Sequence, residues 1–113
     1  MIIEYIRYAL LDTAQASGFE RDCAEAARFL DDSRQCLSYV LARCEEYPLQ
    51  YILQICWDSA EGHLRDDFRR SAAFDDFERL VQPYVPQLLE MRHYRPTAVG
   101  HSRPNVGPKA PFA

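Results

Sequence analysis

The sequence predicts an α+β fold with four strands and two helices in the order βαββαβ. Two observations lead to this prediction. The apolar period changes along the chain from two to about 3.6 and back, and short runs rich in β-branched and aromatic residues are bounded by turn and cap residues. With 113 residues, 48% of them hydrophobic and 27% charged, the chain has the size and composition of a folded protein of one domain.

The first strand is predicted over residues 2–10, because both of its alternating faces carry apolar side chains. From Thr13 the period becomes helical, with charged residues between apolar positions three and four apart. That apolar stripe consists of Phe19, Cys23, Ala26 and Leu30. The first helix is therefore expected to run from Thr13 to a point between Asp31 and Arg34.

Two further strands are predicted over residues 36–45 and 49–59. The segment "EEYP" joins them, and Pro48 can take the second position of a tight turn because its φ is fixed near the required value. The two strands are expected to pair as a hairpin.

The second half of the chain is predicted to be helical and then to return to the sheet. Asp58 or Ser59, with Glu61, offers a weak capping box, and Ser71 offers a second N-cap. The stripe that follows Ser71 consists of Phe74, Phe77, Val81, Tyr84 and Leu88. Pro83 and Pro86 are expected to end or kink this helix, and residues 89–95 to form the last strand.

This order is the split βαβ pattern of ferredoxin-like folds, a four-stranded antiparallel sheet with two helices on one face. Residues 1–95 are predicted to form this domain. Residues 96–113 contain four prolines and two glycines without periodicity, and they are predicted to form an irregular C-terminal arm.

The predicted sheet has one face that its two helices cannot cover. The strands carry apolar residues on both faces, although Glu4, Ser38, Gln50 and Gln54 dilute them. We therefore expect a homodimer in which two sheets pack face to face into an α/β barrel. The alternative is that the arm folds back over this face.

Composition argues against several partners and sites. The net charge of −4, without a basic cluster, argues against nucleic-acid binding, and no apolar run is long enough to span a membrane. The N-terminus lacks the features of a signal peptide, and a cytoplasmic location is expected by default. The four cysteines form no CxxC pair, so they are interpreted as reduced apolar residues, and no metal site is expected.

Two segments carry a resemblance to a known family. The runs "YILQICWDSAEGHL" and "RRSAAF" resemble the antibiotic biosynthesis monooxygenase family of dimeric α/β barrels, in which a strand ends in Trp and a His-Leu … Ser-x-x-Phe run follows. The matching residues here are Trp57, Asp58, Ser59, His63, Leu64, Ser71 and Phe74. The segments "IIEYIRY" and "EMRHY" also resemble the outer strands of the family.

The resemblance implies a small enzyme that oxidises an aromatic or quinol-type substrate with O₂ and uses no metal, haem or flavin. A pocket for this reaction needs an aromatic wall, a base and a partner for the developing anion. Trp57 is the candidate wall and His63 the candidate base. The candidate substrate-binding residues are Arg7, Arg79, Tyr84 and Tyr94.

Each candidate also has a structural interpretation. Trp57 can be a core residue, His63 an exposed one, Arg79 part of a solvated ion pair, and the two tyrosines packing residues. Oxygenases of the family often carry a polar amide on the strand shortly before the Trp, whereas here only Gln54 is present, on the opposite face from Trp57. The segment "DDFERLVQ" has no His, unlike haem-degrading relatives.

Two other functions remain open at this point. The first is a catalytically silent dimeric barrel that binds a small apolar ligand or assists another enzyme. The second is a structural dimer whose proline-rich arm docks on a partner protein. The enzyme hypothesis requires Trp57, His63 and a cation to line one cavity. The two other functions do not require this.

Overall fold

The computed structural model of the chain describes residues 1–58 and 71–104. In these two ranges, four strands form one antiparallel sheet in the order β2-β3-β1-β4. The elements are β1 (Ile2–Ala9), α1 (Thr13–Asp31), β2 (Cys36–Arg43), β3 (Gln50–Trp57), α2 (Ala72–Val81), a 3-10 helix (Gln82–Gln87) and β4 (Leu88–Tyr94). This is the ferredoxin-like α+β fold that the sequence predicts.

The hairpin of β2 and β3 closes at the predicted turn. The Gln50 amide donates a 2.8 Å hydrogen bond to the Tyr47 carbonyl, which places Pro48 at the second position of a four-residue turn. β2 ends at Arg43, two residues before its predicted end. The Cys44 amide still donates to the Gln50 carbonyl at 2.9 Å, and the chain bends from Glu45 onward.

The helix after Ser71 begins as predicted and ends earlier than its apolar stripe. The Ser71 hydroxyl accepts a hydrogen bond from the Phe74 amide at 3.2 Å and so caps α2. α2 ends at Val81, and Pro83 and Pro86 lie in the 3-10 helix that follows. Proline has no amide hydrogen to donate, so the regular α-helical bonds cannot continue. The predicted stripe therefore divides: Tyr84 lies in the 3-10 helix and Leu88 begins β4.

The core lies between one face of the sheet and the two helices. Alternate residues of β1 and β3 point into it, and Phe19 and Leu30 of α1 pack against them. The buried strand residues on this covered face are Ile6, Tyr8, Tyr51, Leu53, Ile55 and Trp57. The predicted stripe of α1 is confirmed, with Ala26 buried and Cys23 partly buried.

The opposite face of the sheet is covered by neither α1 nor α2. It presents Tyr5, Arg7, Val40, Ile52 and Gln54, each half-buried in the single chain. Ser38, Gln50 and Gln54 lie on this face as expected. Glu4 does not: it alternates with Ile6 and Tyr8 and points to the covered face, where it is 5% exposed.

The remaining predictions concern the arm and the cysteines. Residues 95–104 contain neither helix nor strand, and residues 105–113 lie outside the described ranges. All four cysteines are free, and Cys56 is buried. In the described ranges we find no helix that is long and apolar enough to cross a membrane, and no cluster of three or more His, Cys, Asp or Glu side chains placed to hold a metal ion.

Candidate functional site

A cavity of about 350 Å³ lies between the covered face of the sheet and α2. Its walls are mostly apolar, and they include four aromatic side chains, those of Tyr8, Trp57, Phe74 and Phe77. Two carboxylates also line it, Glu4 from β1 and Glu78 from α2. An apolar cavity with few polar groups is the usual form of a site for a small organic molecule.

The polar end of the cavity is built around the buried Glu4 carboxylate. The Trp57 indole N–H donates a hydrogen bond to Glu4 Oε1 at 3.0 Å. His93 Nε2 lies 3.6 Å from Glu4 Oε2, and the His93 side chain is 35% exposed. Burial of a carboxylate is costly unless hydrogen bonds or opposite charges compensate it, and the Trp57 hydrogen bond supplies part of that compensation.

Strand register brings these three residues together. Glu4 lies opposite Ile55 on β3 and opposite His93 on β4. Trp57 is two residues beyond Ile55, so it is the diagonal neighbour of Glu4 on the same face of the sheet. The contact therefore depends on β1 lying between β3 and β4.

A second cavity of about 360 Å³ lies between α1 and β2 and shares wall residues with the first, including Leu53 and Phe77. Cys23 and Tyr39 line it. Burial, with the nearby carboxylates of Asp22 and Glu20, raises the pKa of the Cys23 thiol to about 12. Because the thiolate is the reactive form, Cys23 is suited to packing rather than to nucleophilic chemistry.

Of the predicted site residues, the structure places Trp57 in the cavity and Tyr84 nearby in the core. Trp57 is 2% exposed, and its ring forms part of the cavity wall. Tyr84 is 7% exposed, packs on Phe19 with ring centroids 4.9 Å apart, and donates its hydroxyl to Asp22 at 2.5 Å. The Tyr84 hydroxyl is thus directed to α1.

The other described candidates lie elsewhere. Arg7 and Tyr94 point to the uncovered face of the sheet, where Arg7 lies 3.8 Å from Glu90 and Tyr94 makes an edge contact with Tyr5. Arg79 is on the solvent side of α2 and pairs with Asp76 at 3.2 Å. The structure therefore does not bring these three residues to the Trp57 cavity.

His63 lies outside the described residues, as do Ser59 and Leu64. The predicted helix that begins at Asp58 or Ser59 falls in the same range, 59–70. The role of His63 as a base therefore stays a prediction.

Sequence reasoning missed the pairing of Glu4 with His93. Two signals could have found it. Glu4 has the same strand parity as Ile6 and Tyr8, so it had to face the helices. The ferredoxin-like order also places the first and last strands side by side, which brings His93 to β1.

The fold defines the chain as a ferredoxin-like α+β protein. Among solved structures, a protein from Bordetella bronchiseptica named provisionally as an antibiotic biosynthesis monooxygenase is 27% identical, with a TM-score of 0.66 over 85% of this chain and 97% of that one. A protein from Chloroflexus aurantiacus with the same provisional name is 22% identical, with a TM-score of 0.66 over 90% and 98% of the two chains.

A variant of SnoaB, a cofactor-independent oxygenase from Streptomyces nogalater, has the same fold. It is 12% identical, with a TM-score of 0.69 over 87% of this chain and 94% of that one. No family model and no curated protein matches the chain. The structural comparisons confirm the resemblance to the antibiotic biosynthesis monooxygenase family that the sequence indicates.

Proposed function

We propose that this protein is a cofactor-independent monooxygenase or quinol-oxidase-like enzyme that oxidises a small aromatic or phenolic substrate with O₂. The observation that carries the proposal is the cavity beneath α2, in which the Trp57 ring and the buried Glu4 carboxylate lie at one end. Aromatic walls can hold a flat ring, and a carboxylate can accept a hydroxyl proton.

The two versions of the reaction differ in their products. In a quinol oxidation, the substrate gives two electrons and two protons to O₂, which yields a quinone and hydrogen peroxide. In a monooxygenation without a cofactor, a ring CH₂ group gives up both hydrogens, one oxygen atom forms the new C=O, and the other leaves as water. Both begin with loss of a proton that makes the substrate a better electron donor.

The test is oxygen consumption with a panel of hydroquinones and polyphenols, for the wild type, Trp57→Phe, His63→Ala and the exposed loop variant Tyr47→Phe as control. We expect Trp57→Phe to lower kcat/KM by about tenfold or more, which corresponds to about 1.4 kcal/mol of transition-state stabilisation. Tyr47 is 64% exposed, so its variant should match the wild type.

Labelled oxygen then separates the two reactions. Incorporation of ¹⁸O from ¹⁸O₂ into the product identifies a monooxygenase, whereas stoichiometric hydrogen peroxide identifies a quinol oxidase. Absence of turnover with every compound, or turnover that is unchanged from the wild type in both Trp57→Phe and His63→Ala, would contradict the assignment of this site.

A second candidate function is binding of a small apolar ligand without catalysis, either alone or as an accessory to another enzyme. It is favoured by the character of the cavity wall: among the described residues that line it, none is Arg, Lys or His. Ligand binding in the same cavity without oxygen consumption would support this alternative.

A further inference from the structure

We propose that Glu4 is the acceptor for the hydroxyl group of an aromatic ligand in the cavity beneath α2, and that protonation of His93 weakens this acceptor. The proposal rests on the function proposed above and adds two residues to it. Neither of them was among the residues that the sequence indicated for the site.

The first step of the argument is the position of Glu4. It is 5% exposed, it lines the cavity, and it is the buried charged residue among the described ranges. Burial of a carboxylate is costly, so its place in a mostly apolar wall points to a use for it in addition to its contact with Trp57. A carboxylate can accept about four hydrogen bonds, and it prefers a ligand that donates one.

The second step is the role of Trp57. Its indole N–H donates to Glu4 Oε1, so the aromatic wall and the acceptor are held in a fixed relation. A ligand ring that packs on Trp57 would therefore bring a ring hydroxyl towards the carboxylate. A ligand without the hydroxyl would cover the carboxylate without adding a hydrogen bond to it, which gives selectivity.

The third step concerns pH. The titratable groups that the described residues place around Glu4 are His93 on β4 at 3.6 Å, Tyr8 on β1, and Glu78 on α2. Of these side-chain types, imidazole is the one that ordinarily changes charge between about pH 5 and 8. A protonated His93 would form an ion pair with Glu4 and compete with the ligand hydroxyl, so hydroxyl selectivity should fall as the pH is lowered.

In the proposed oxidation, the same contact gives the hydroxyl proton a destination. The ligand O–H bond breaks, its electron pair stays on the ligand oxygen, and the proton forms a new O–H bond on Glu4. His93 is partly exposed, so the proton can leave from Glu4 to Nε2 and then to water after the two atoms approach by about 0.8 Å to hydrogen-bond distance.

The experiment measures binding of two probes in deoxygenated buffer, so it does not depend on turnover. The probes are 2-naphthol and 2-methoxynaphthalene, which differ in their hydrogen-bond donor. Trp57 is the single tryptophan of the chain and lines the cavity, so quenching of its fluorescence reports binding. We expect the wild type at pH 8 to bind the hydroxyl probe about tenfold more tightly than the methoxy probe.

Three variants test which residue causes this preference for the hydroxyl probe. Glu4→Gln keeps an acceptor for the Trp57 N–H but removes the charge, and its preference should fall several-fold. Glu25→Gln makes the same chemical change on the exposed surface of α1, and it should keep the preference. His93→Gln should keep the preference for the hydroxyl probe at pH 8. In this variant the preference should no longer decline towards pH 5, whereas a purely structural role for His93 would leave that decline unchanged.

Each result decides a point. A wild type that binds neither probe, or binds both equally, overturns the proposal even if Glu4→Gln fails to fold. A wild-type preference that persists in Glu4→Gln removes Glu4 as the acceptor, and an unchanged pH profile in His93→Gln removes His93. Hydroxyl selectivity without oxygen consumption would retain this inference while the proposed oxidation fails, and turnover without selectivity would do the reverse.

Discussion

Phe19 and three tyrosines form the aromatic centre of the core. The Phe19 ring is fully buried, and Tyr8, Tyr51 and Tyr84 surround it with ring centroids 4.9 to 5.1 Å away. The hydroxyl of Tyr51 donates to Glu20 and that of Tyr84 to Asp22, so both acceptors lie on α1. These contacts join the sheet and the 3-10 helix to α1 through neutral tyrosines next to carboxylates.

This arrangement predicts a loss of stability at alkaline pH. Burial, the hydrogen bond to Asp22 and the Asp22 charge raise the pKa of Tyr84 from 10.0 to about 12. Because the folded state holds the proton more tightly than the unfolded state does, the contribution is complete below about pH 10 and is lost as the pH rises towards 12. Urea unfolding at pH 8 and pH 11 should show a lower free energy of unfolding at pH 11.

The variant Tyr84→Phe tests how much of the alkaline loss of stability comes from Tyr84. At pH 8 it should lower the free energy of unfolding by about 1 kcal/mol, because Asp22 loses its hydrogen-bond donor. Its further decrease between pH 8 and 11 should be smaller than in the wild type. Tyr47→Phe, on an exposed loop, is the control, and an equal alkaline loss in all three proteins would contradict the assignment to Tyr84.

The N-terminus of α1 shows how short-range contacts begin an element. Asp12 accepts a hydrogen bond from the Gln15 amide at 2.8 Å, and the Gln15 side chain accepts one from the Leu11 amide at 2.7 Å. The Asp12 side chain satisfies an amide group that the first helical turn leaves without an intrahelical partner, and the Gln15 side chain accepts from the residue before the cap. Sequence periodicity located the helix start at Thr13 but did not identify this cap.

Removal of the cap should destabilise the protein by a modest amount. Asp12→Ala is expected to lower the free energy of unfolding by about 1 kcal/mol, since the Gln15 amide loses its acceptor. Asp12→Asn keeps a side-chain oxygen at this position and should remain close to the wild type. Urea denaturation followed by circular dichroism measures both, and equal stability of the alanine variant and the wild type would show that the cap contributes little.

At the scale of the whole molecule, the uncovered face of the sheet supports the proposal of a homodimer. Tyr5, Val40 and Ile52 on this face are only half-buried in the single chain, and neither α1 nor α2 covers them. A second copy that packs on this face would remove their apolar surface from water, and two-fold symmetry would place the same residues on both sides.

Size-exclusion chromatography with light scattering at micromolar concentration tests this proposal. We expect the wild type to have twice the chain mass of 13.1 kDa. Ile52→Arg should shift the protein towards the monomer, because it places a charge on the proposed interface. Leu11→Arg, at a position 72% exposed beside α1, should remain dimeric.

A wild type with the mass of one chain would contradict the dimer and favour the arm as the cover of this face. Retention of secondary structure in Ile52→Arg, seen by circular dichroism, is needed to distinguish dissociation from unfolding.

The sequence by itself determined the elements in the described ranges, with their ends to within two residues. The alternation in β1, the 3.6 period of α1, the Ser71 cap and the Pro48 turn depend on interactions between residues close in the chain, so they can be read from local pattern. Strand parity also fixed which residues share a face, which is why Trp57 was correctly grouped with Tyr51, Leu53 and Ile55.

Only the tertiary structure decided which faces are covered and which residues meet across strands. Arg7 and Tyr94 were expected beside Trp57 but lie on the other face, and Glu4 was expected to dilute the uncovered face but lies in the core next to His93. The physical reason is that these contacts join residues more than fifty positions apart in the chain. They depend on strand order and register, which local periodicity does not contain.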